Sequence, residues 1–359
     1  MNLSVGIVGL PNTGKSTLFN ALLAKQIANV APYPFCTIDP NIGVVEVPDE
    51  RLAVLAKIVK TEKIIPAVIK FVDIAGLVAG AAKGEGLGNQ FLANIRECQS
   101  IIHILRAFDD SNVVHEGEIN PISDLATIKI ELCLADLQTL EKQKEPNPNR
   151  MTPEDKKRFT VFQKARKILE AGQEIREIDW TEEEKSFLNP LFLLTAKPAL
   201  FVLNVAEKEV SLMADELAEK YNLKEIGEII PICAKVEMEL ADLNPEERKE
   251  FLKELGLQQS GLEKMIQAAY KLLDLQTYLT AGEKEVRAWT INRGDKAPQA
   301  AGVIHTDFEK GFIKAKIVSY DDFIAFDGWK GAAEAGKVRL EGKDYAMQEG
   351  DVVEFVFNL

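Results

Sequence analysis

The sequence of 359 residues contains few cysteines, and those present lie far apart. No C-x-x-C pair occurs among the four of them, which are Cys36, Cys98, Cys133 and Cys233. Neither a disulfide framework nor a zinc site is therefore indicated. Sparse, unpaired thiols are typical of a reduced cytosolic protein.

Long hydrophobic runs are also missing. The longest candidate, residues 191–205, is broken by Lys197 and Pro198, so no stretch reaches the roughly 18 apolar residues that a membrane helix needs. At the N-terminus no charged segment precedes an apolar one, and we expect no signal peptide. These absences predict a cytoplasmic protein without a membrane partner.

Positive charge is scarce over the whole chain. The 43 Lys and Arg residues stand against 56 Asp and Glu, which gives a net charge of −13 and disfavours non-specific wrapping of nucleic acid. Residues 156–167 are an exception, because they carry six basic side chains and no acidic one. Contact with nucleic acid, ribosomal RNA included, and an ordinary solvated helix face both remain open for this segment.

Length and composition indicate a globular protein of more than one domain. A chain of 359 residues exceeds one ordinary hydrophobic core, so two or three domains are expected. A hydrophobic content of 46% with 28% charged residues is typical of such proteins.

The motif GLPNTGKST at residues 9–17 lies between an apolar predicted strand, 3–8, and a predicted helix, 18–26. Its glycines let backbone N–H groups approach a phosphate, toward which the helix directs its N-terminus. Lys15 is expected to reach the β- and γ-phosphates, and the Ser16 hydroxyl to bind Mg²⁺. The nucleotide-binding candidates of this motif are Asn12, Thr13, Gly14, Lys15, Ser16 and Thr17.

Two further segments supply candidates for binding the metal and the γ-phosphate. In the proline-rich predicted loop 33–41, Thr37 can close over Mg²⁺ and the γ-phosphate, although an ordinary loop threonine is the alternative. Asp73 ends a predicted strand and is soon followed by Gly76. The carboxylate would orient Mg²⁺ through water, and the glycine N–H would sense the γ-phosphate. Residues 80–88 contain four glycines and predict a segment that stays mobile until something binds.

The groups that would drive hydrolysis are unusual. Leu77 follows Gly76 where Ras-like enzymes place a water-orienting glutamine, and its side chain forms no hydrogen bond, so intrinsic hydrolysis should be slow. Asn12 either holds a monovalent cation such as K⁺ beside the phosphates or only braces the loop. His115, in a polar loop, is a candidate for positioning water, whereas His103, in a buried predicted strand, is expected to be a core residue.

The segment Asn204-Val205-Ala206-Glu207 follows a predicted strand, 199–203. GTPases place Asn-Lys-x-Asp at this point, and the aspartate accepts hydrogen bonds from guanine N1–H and the 2-amino group. Here valine replaces lysine, and Glu207 is one methylene longer than aspartate. A donor left unpaired costs about 1–3 kcal/mol, and selection by such pairs reaches roughly 10⁴-fold. We therefore predict adenine, with Asn204 and the Val205 backbone near its 6-amino group.

Helical periodicity appears in the middle of the chain. A first long helix is predicted by the apolar spacing of Leu125, Ile128, Leu132, Ala135 and Leu140. Residues 146–149 break it, and a second helix begins near Thr152 as N-cap. The pair predicts an antiparallel hairpin with Phe159, Phe162 and Ala165 in its seam.

Beyond residue 282 the pattern changes to short strands with intervening helical segments. The predicted strands are 286–291, 302–305, 313–318 and 352–357. They indicate a small α+β module, whose 11 basic and 14 acidic residues give no electrostatic argument for RNA binding.

Together these motifs resemble those of the Obg-like ATPase family, the YchF proteins. The resemblance extends over the chain through GLPNTGKST, YPFCTIDPN, DIAGL, KGEGLGNQF, NVAE, LQTYLTAGEKEVRAWT and GDVVEFVFN. It implies an α/β fold with a Ras-like P-loop NTPase domain, 1–130 and 195–277. An inserted helical hairpin, 131–194, and a C-terminal α+β domain of the β-grasp (TGS) type, 278–359, complete the implied organisation.

The same resemblance implies a function. It suggests ATP as the preferred nucleotide, Mg²⁺ held by Ser16 and Thr37, and association with the ribosome, either the 70S particle or the large subunit. A loop histidine thought to act in hydrolysis maps to His115, which joins Lys15 and Gly76 as catalytic candidates; Asp73 completes the metal candidates. We expect a monomeric ATPase that acts in translation.

Two other functions remain open at this point. A conventional GTPase that acts as an assembly factor would need a guanine pocket despite Val205 and Glu207. A nucleotide-gated binding module with little turnover is compatible with Leu77, because the water-orienting glutamine is missing.

Overall fold

The computed structural model describes residues 3–28, 41–73, 92, 94–109, 119–143 and 151–358. The strands are β1 (Ser4–Val8), β2 (Ile42–Glu46), β3 (Ile64–Ile65), β4 (Val68–Asp73), β5 (Ser100–Ala107), β6 (Ala199–Val205), β7 (Ile229–Ile232), β8 (Leu275–Ala281), β9 (Val286–Asn292), β10 (Phe312–Ser319), β11 (Arg339–Glu341) and β12 (Asp351–Phe357). The helices are α1 (Lys15–Ala28), α2 (Arg51–Val59), α3 (Pro121–Glu141), α4 (Pro153–Glu170), α5 (Glu182–Leu188), α6 (Ala214–Lys220), α7 (Ala234–Asp242), α8 (Pro245–Glu254), α9 (Gly261–Leu272), α10 (Ala297–Ile304), α11 (Thr306–Lys310), α12 (Tyr320–Ala325) and α13 (Trp329–Glu334).

The chain divides into two compact units. The first consists of residues 1–45 and 70–265, and the second of residues 46–69 and 266–359. The sequence places 46–69 in the nucleotide-binding domain, whereas the structure groups this segment with the C-terminal residues. The apolar pattern of residues 46–69 is compatible with either sheet. Only the pairing of β3 with β9 therefore shows to which unit this segment belongs.

The first unit is built on a six-stranded sheet of order β2-β4-β1-β5-β6-β7. Strand β1 pairs in parallel with β4 on one side and β5 on the other, and β5, β6 and β7 continue in parallel. Strands β1 and β5 are buried along their whole length, which explains their continuous apolar sequence. Because the strand order reverses at β1, a ligand crevice is expected at the carboxyl ends of β1 and its neighbours.

Helix α3 joins this sheet to the predicted hairpin. Leu125 and Ile128, near its start, pack with the sheet, while Cys133 and Leu140 pack with α4. The N-cap at Thr152 is confirmed, and its side chain forms a capping box with Asp155. The cluster between the helices is formed by Cys133, Leu140, Val161, Ala165, Leu169, Ile175, Trp180, Leu188 and Leu193.

The predicted seam of the hairpin was partly wrong. Ala165 is fully buried in it, and Phe162 packs against the cluster, but Phe159 is not part of it. Val161 and Leu169 occupy the seam instead, at four-residue spacing on either side of Ala165. Periodicity rather than size sets the buried face of a helix, which explains why Phe159 lies outside the cluster.

The second unit contains the sheet β11-β10-β12-β8-β9-β3. Strands β8 and β9 form an antiparallel pair, and β3 adds to β9 in parallel through Ile64 opposite Val286. Arg51 of α2 forms ion pairs with Asp49 and Glu349. The segment that precedes β4 is therefore integrated into the C-terminal sheet.

One predicted strand of this unit, 302–305, is wrong. Residues Ala297–Ile304 form helix α10. Proline in the first turn and three alanines favour a helix there, and these local preferences outweighed the short apolar run that suggested a strand.

The described part of the chain has no helix long and apolar enough to span a membrane. Cys98, Cys133 and Cys233 are free and buried, and burial raises the pKa of Cys98 to about 11 and that of Cys133 to about 12. These two thiols are therefore protonated at neutral pH and unreactive.

Candidate functional site

The loop between β1 and α1 has a backbone conformation that requires glycine at two positions, Gly9 and Gly14. Gly14 has a φ of 92°, in the left-handed region, and Asn12 a φ of 62°. A Cβ at Gly9 would lie 2.7 Å from the carbonyl oxygen of Ile104. The Leu18 amide donates to the Gly14 carbonyl at 2.9 Å, so the first turn of α1 begins directly at the loop. The amides of this turn remain available for an anion.

Lys15 folds back over this loop. Its Nζ donates to the Leu10 carbonyl oxygen at 2.6 Å, and the residue is only 6% exposed. Burial lowers the pKa of Lys15 to about 8, and Asp73 opposes this shift. Burial likewise raises the pKa of Asp73, while the charge of Lys15 acts in the opposite direction. Two partly desolvated groups of opposite charge thus interact electrostatically near the carboxyl ends of β1 and β4.

Asn204 connects three segments of the site. At the end of β6, its Nδ2 donates to the Thr13 carbonyl at 2.9 Å, and its Oδ1 accepts from the Ala234 amide at 3.0 Å. The residue is 4% exposed. Because both ends of the amide are used, Asn204 fixes the loop between β1 and α1 relative to the turn before α7.

These segments line an open cavity of about 540 Å³, a size typical of small-molecule sites. Its lining is formed by Asn12, Gly14, Lys15, Ser16, Thr17, Phe108, Asp109, Asn204, Val205, Ala206, Glu207, Cys233, Ala234 and Lys235. The structure therefore brings together the loop after β1 and the segment after β6. Thr13 does not line the cavity; its hydroxyl donates to the Leu10 carbonyl at 3.1 Å.

Phe108 is a lining residue that the sequence reasoning missed. It follows β5 directly, at the same edge of the sheet as the loop between β1 and α1. An aromatic residue just past a buried strand at the switch point was the available indication. Its ring lies 4.7 Å from the guanidinium carbon of Arg106.

The structure describes two of the three metal candidates, Ser16 and Asp73. Ser16 lines the cavity, and Asp73 lies close enough to Lys15 for their charges to interact. In the described ranges no group of three His, Cys, Asp or Glu side chains could hold a metal ion by themselves. A hydroxyl and a carboxylate fit Mg²⁺, which takes its other ligands from phosphates and water.

Four predicted residues lie outside the described ranges: Thr37, Gly76, Leu77 and His115. Their expected roles stay predictions. His103 is described, and the expectation of a core position is confirmed. It is fully buried, its ring stacks on Phe201 at 5.2 Å, and burial lowers its pKa well below the usual value.

The basic face of α4 is less positive than its sequence suggests. Lys157 pairs with Glu183 at 2.6 Å, and Lys164 pairs with Glu184 at 2.8 Å and lies over the ring of Trp180. The remaining basic residues include Arg158, which pairs with Asp155 in the same helix. Lys156, Arg166 and Lys167 are exposed and form no ion pair within the part of the chain that the structure describes.

Two family models match the chain. Residues 4–142 match a model described as a 50S ribosome-binding GTPase. Residues 275–358 match the model YchF-GTPase_C, described as a protein of unknown function.

Curated relatives match over the full length. Identity is 50% over 367 residues to the ribosome-binding ATPase YchF of Bacillus subtilis and 51% over 365 residues to that of Escherichia coli O157:H7, with 100% of both chains covered. The solved structure of the Schizosaccharomyces pombe YchF GTPase matches with a TM-score of 0.86 at 39% identity, covering 99% of this chain and 98% of that one.

Proposed function

Because the chain belongs to the YchF family, we propose that it is an ATP-binding and ATP-hydrolysing P-loop switch protein of the cytoplasm that associates with the ribosome. The choice of ATP depends on one observation. One cavity joins the phosphate loop to Asn204–Glu207, where the lysine and aspartate of a guanine pocket are absent. The output of the switch would be a changed affinity for a component of translation.

A nucleotide titration tests the choice of base. We expect Mg-ATP to bind at least about tenfold more tightly than Mg-GTP, since a guanine in this pocket leaves donors unpaired. Calorimetry with ATP, GTP, ADP and GDP on the full chain measures the difference. Equal or tighter GTP binding would favour the conventional GTPase instead.

The residues of the cavity have separate tasks. Lys15 leaves the Leu10 carbonyl and, with the loop amides, neutralises the β- and γ-phosphates. Mg²⁺, when bound, would neutralise the same oxygens and would be held by Ser16, Thr37 and, through water, Asp73. The Phe108 ring supplies a flat apolar surface on which an adenine base can stack.

Hydrolysis is proposed to be slow, because leucine follows Gly76 where a glutamine would orient water. His115 takes over this task in the proposal. His115→Ala should therefore abolish turnover and leave ATP affinity unchanged, whereas Lys15→Ala should weaken both. If turnover in the His115 variant equals that of the wild type, His115 has no part in the reaction.

Asn12 lines the cavity in a left-handed conformation, and we propose that it holds K⁺ beside the phosphates. Phosphate release should then be faster in K⁺ than in Na⁺ at equal ionic strength. Equal rates in the two salts would remove the cation from the mechanism.

ATP affinity should depend on pH through Lys15. The pKa of Lys15 is lowered to about 8 in the free site, and bound phosphates raise it again. The free lysine loses its proton as the pH rises through about 8, whereas the bound lysine keeps its own. Affinity should therefore be constant below that pH and fall by up to about tenfold per unit above it. Calorimetry in buffers of different ionisation enthalpy should detect proton uptake on the alkaline side.

Adenosine provides the control for this prediction, because it carries no phosphate to interact with Lys15. Its affinity should stay constant over the same pH range. An ATP affinity that is also constant would show that Lys15 does not approach the phosphates.

The proposed ribosome contact uses Lys156, Arg166 and Lys167, the basic residues of α4 that form no ion pair with any described residue. Replacing Lys156, Arg166 and Lys167 with glutamate should weaken co-sedimentation with ribosomes and reduce its salt dependence, since each phosphate contact adds roughly 0.7–0.9 to the logarithmic salt slope. Deleting residues 141–185 is a poorer test, because it also removes buried residues of the hairpin cluster.

The matched control replaces Lys157 and Arg158 with glutamate in the same way. Both residues already pair with carboxylates. We expect this variant to pellet more nearly like the wild type. Undiminished pelleting of the triple variant at every salt concentration would place the ribosome contact elsewhere.

A further inference from the structure

Arg106 is a buried cation beside the cavity. It is 1% exposed, and it lies near the end of β5 in register with Asn204 of β6. Residues in register on neighbouring strands project from the same face of a sheet, so Arg106 shares the face of the residue that holds the phosphate loop. Arg106 itself does not line the cavity.

The Arg106 side chain contacts both the backbone and the ring of Phe108. The Nε of Arg106 donates to the Phe108 carbonyl oxygen at 3.1 Å, and its guanidinium carbon lies 4.7 Å from the centre of the Phe108 ring. The first contact fixes the backbone after β5. The second fixes the ring by a cation–π interaction. Both contacts connect this ring, which is part of the cavity wall, to Arg106.

No described residue neutralises the charge of this arginine. Within the residues that the structure describes, its Nη1 is buried without a hydrogen-bond partner, and no ion pair links Arg106 to any of them. A buried guanidinium without a carboxylate is unfavourable, and an apolar residue of similar size is often as stable or more so. Departures from such rules concentrate at functional sites.

We propose that Arg106 is a positioning residue that presents the Phe108 ring to the adenine base and thereby sets nucleotide affinity. This inference rests on the proposed ATP binding. Arg106 acts through Phe108, so its removal affects ligands that carry a base and leaves the phosphate subsite intact.

Four forms of the full chain test the proposal: the wild type, Arg106→Met, Phe108→Leu and the double variant. Methionine keeps the length and apolar stem of arginine but removes the cation and the Nε donor. Mg-ATP affinity is measured by calorimetry, and inorganic tripolyphosphate, which has no base, is measured as a competitor. Thermal unfolding is recorded for every form.

The expected pattern is specific. Arg106→Met weakens ATP binding about tenfold, as loss of base stacking would, while tripolyphosphate affinity and the melting temperature do not fall. Phe108→Leu has a similar effect, and adding Arg106→Met to it changes ATP affinity no further, because the two residues act as one unit. An Arg106→Lys variant, which keeps the charge without the Nε donor, shows an intermediate loss. It replaces the methionine variant in the comparison if that variant does not fold.

Three results would overturn the proposal. An unchanged ATP affinity would show that Arg106 is not needed, and equal losses for ATP and tripolyphosphate would place its action on the phosphates. Multiplied effects in the double variant would show that it acts independently of Phe108. None of these concerns the proposed function, which instead fails if the wild type does not prefer ATP.

Discussion

Gly14→Ala is expected to weaken ATP binding by roughly 100-fold or more. Gly14 has a φ of 92°, and its added Cβ would collide with the Nδ2 of Asn204. Left-handed strain costs about 1–2 kcal/mol, and losing the Asn204 contacts to Thr13 and Ala234 costs about 1–3 kcal/mol. Calorimetry with Mg-ATP measures the loss, and thermal unfolding shows how much of it reaches the whole fold.

Gly172→Ala is the matched control. Gly172 also has a positive φ, 76°, but a Cβ added there would meet no atom within 4 Å. The substitution should cost only the backbone strain, about 1 kcal/mol of stability, and leave ATP binding unchanged. Wild-type ATP affinity in the Gly14 variant would mean that the loop tolerates displacement of Asn204.

The sequence predicted those parts of the cavity lining that depend on local chemistry. The α/β fold class with a C-terminal α+β domain is confirmed by the full-length structural match. The loop between β1 and α1 was recognisable from its glycines, since a Cβ at Gly9 or Gly14 would collide with neighbouring atoms. Asn204 could be placed because its strand is strongly apolar. Patterns of this kind are set within about ten residues and need no knowledge of the tertiary fold.

Features that depend on distant pairing could not be predicted in this way. The carboxylates that neutralise Lys157 and Lys164 come from α5, some 20 residues or more along the chain. Phe108 became a site residue only when β5 was placed next to β1. The strand β3 joins Val286 across more than 200 residues. Composition alone carries no information about such partners, because many registers satisfy the same local pattern.

The largest expected loss of stability is that of Asp136→Ala. Asp136 of α3 is fully buried, and its carboxylate accepts from the Leu194 amide at 2.8 Å and from the amide and hydroxyl of Thr195 at 2.8 and 2.7 Å. Burial raises the pKa of Asp136, and these donors oppose the shift. Alanine would leave buried donors unpaired at the point where the hairpin returns to the sheet. We expect the free energy of unfolding to fall by about 3–5 kcal/mol, measured by urea denaturation.

Asp155→Ala is the control that separates the effect of burial on stability from the effect of the number of hydrogen bonds. The carboxylate of Asp155 also has three contacts, accepting from the amide and hydroxyl of Thr152 and from Arg158, but it lies at the surface, where water can replace them. A much smaller loss is therefore expected, because exposed donors do not stay unsatisfied. Equal losses in the two variants would show that the contacts themselves, and not their burial, stabilise the connection. If Asp136→Ala lowers stability without changing ATP affinity, the hairpin attachment and the nucleotide cavity are energetically independent.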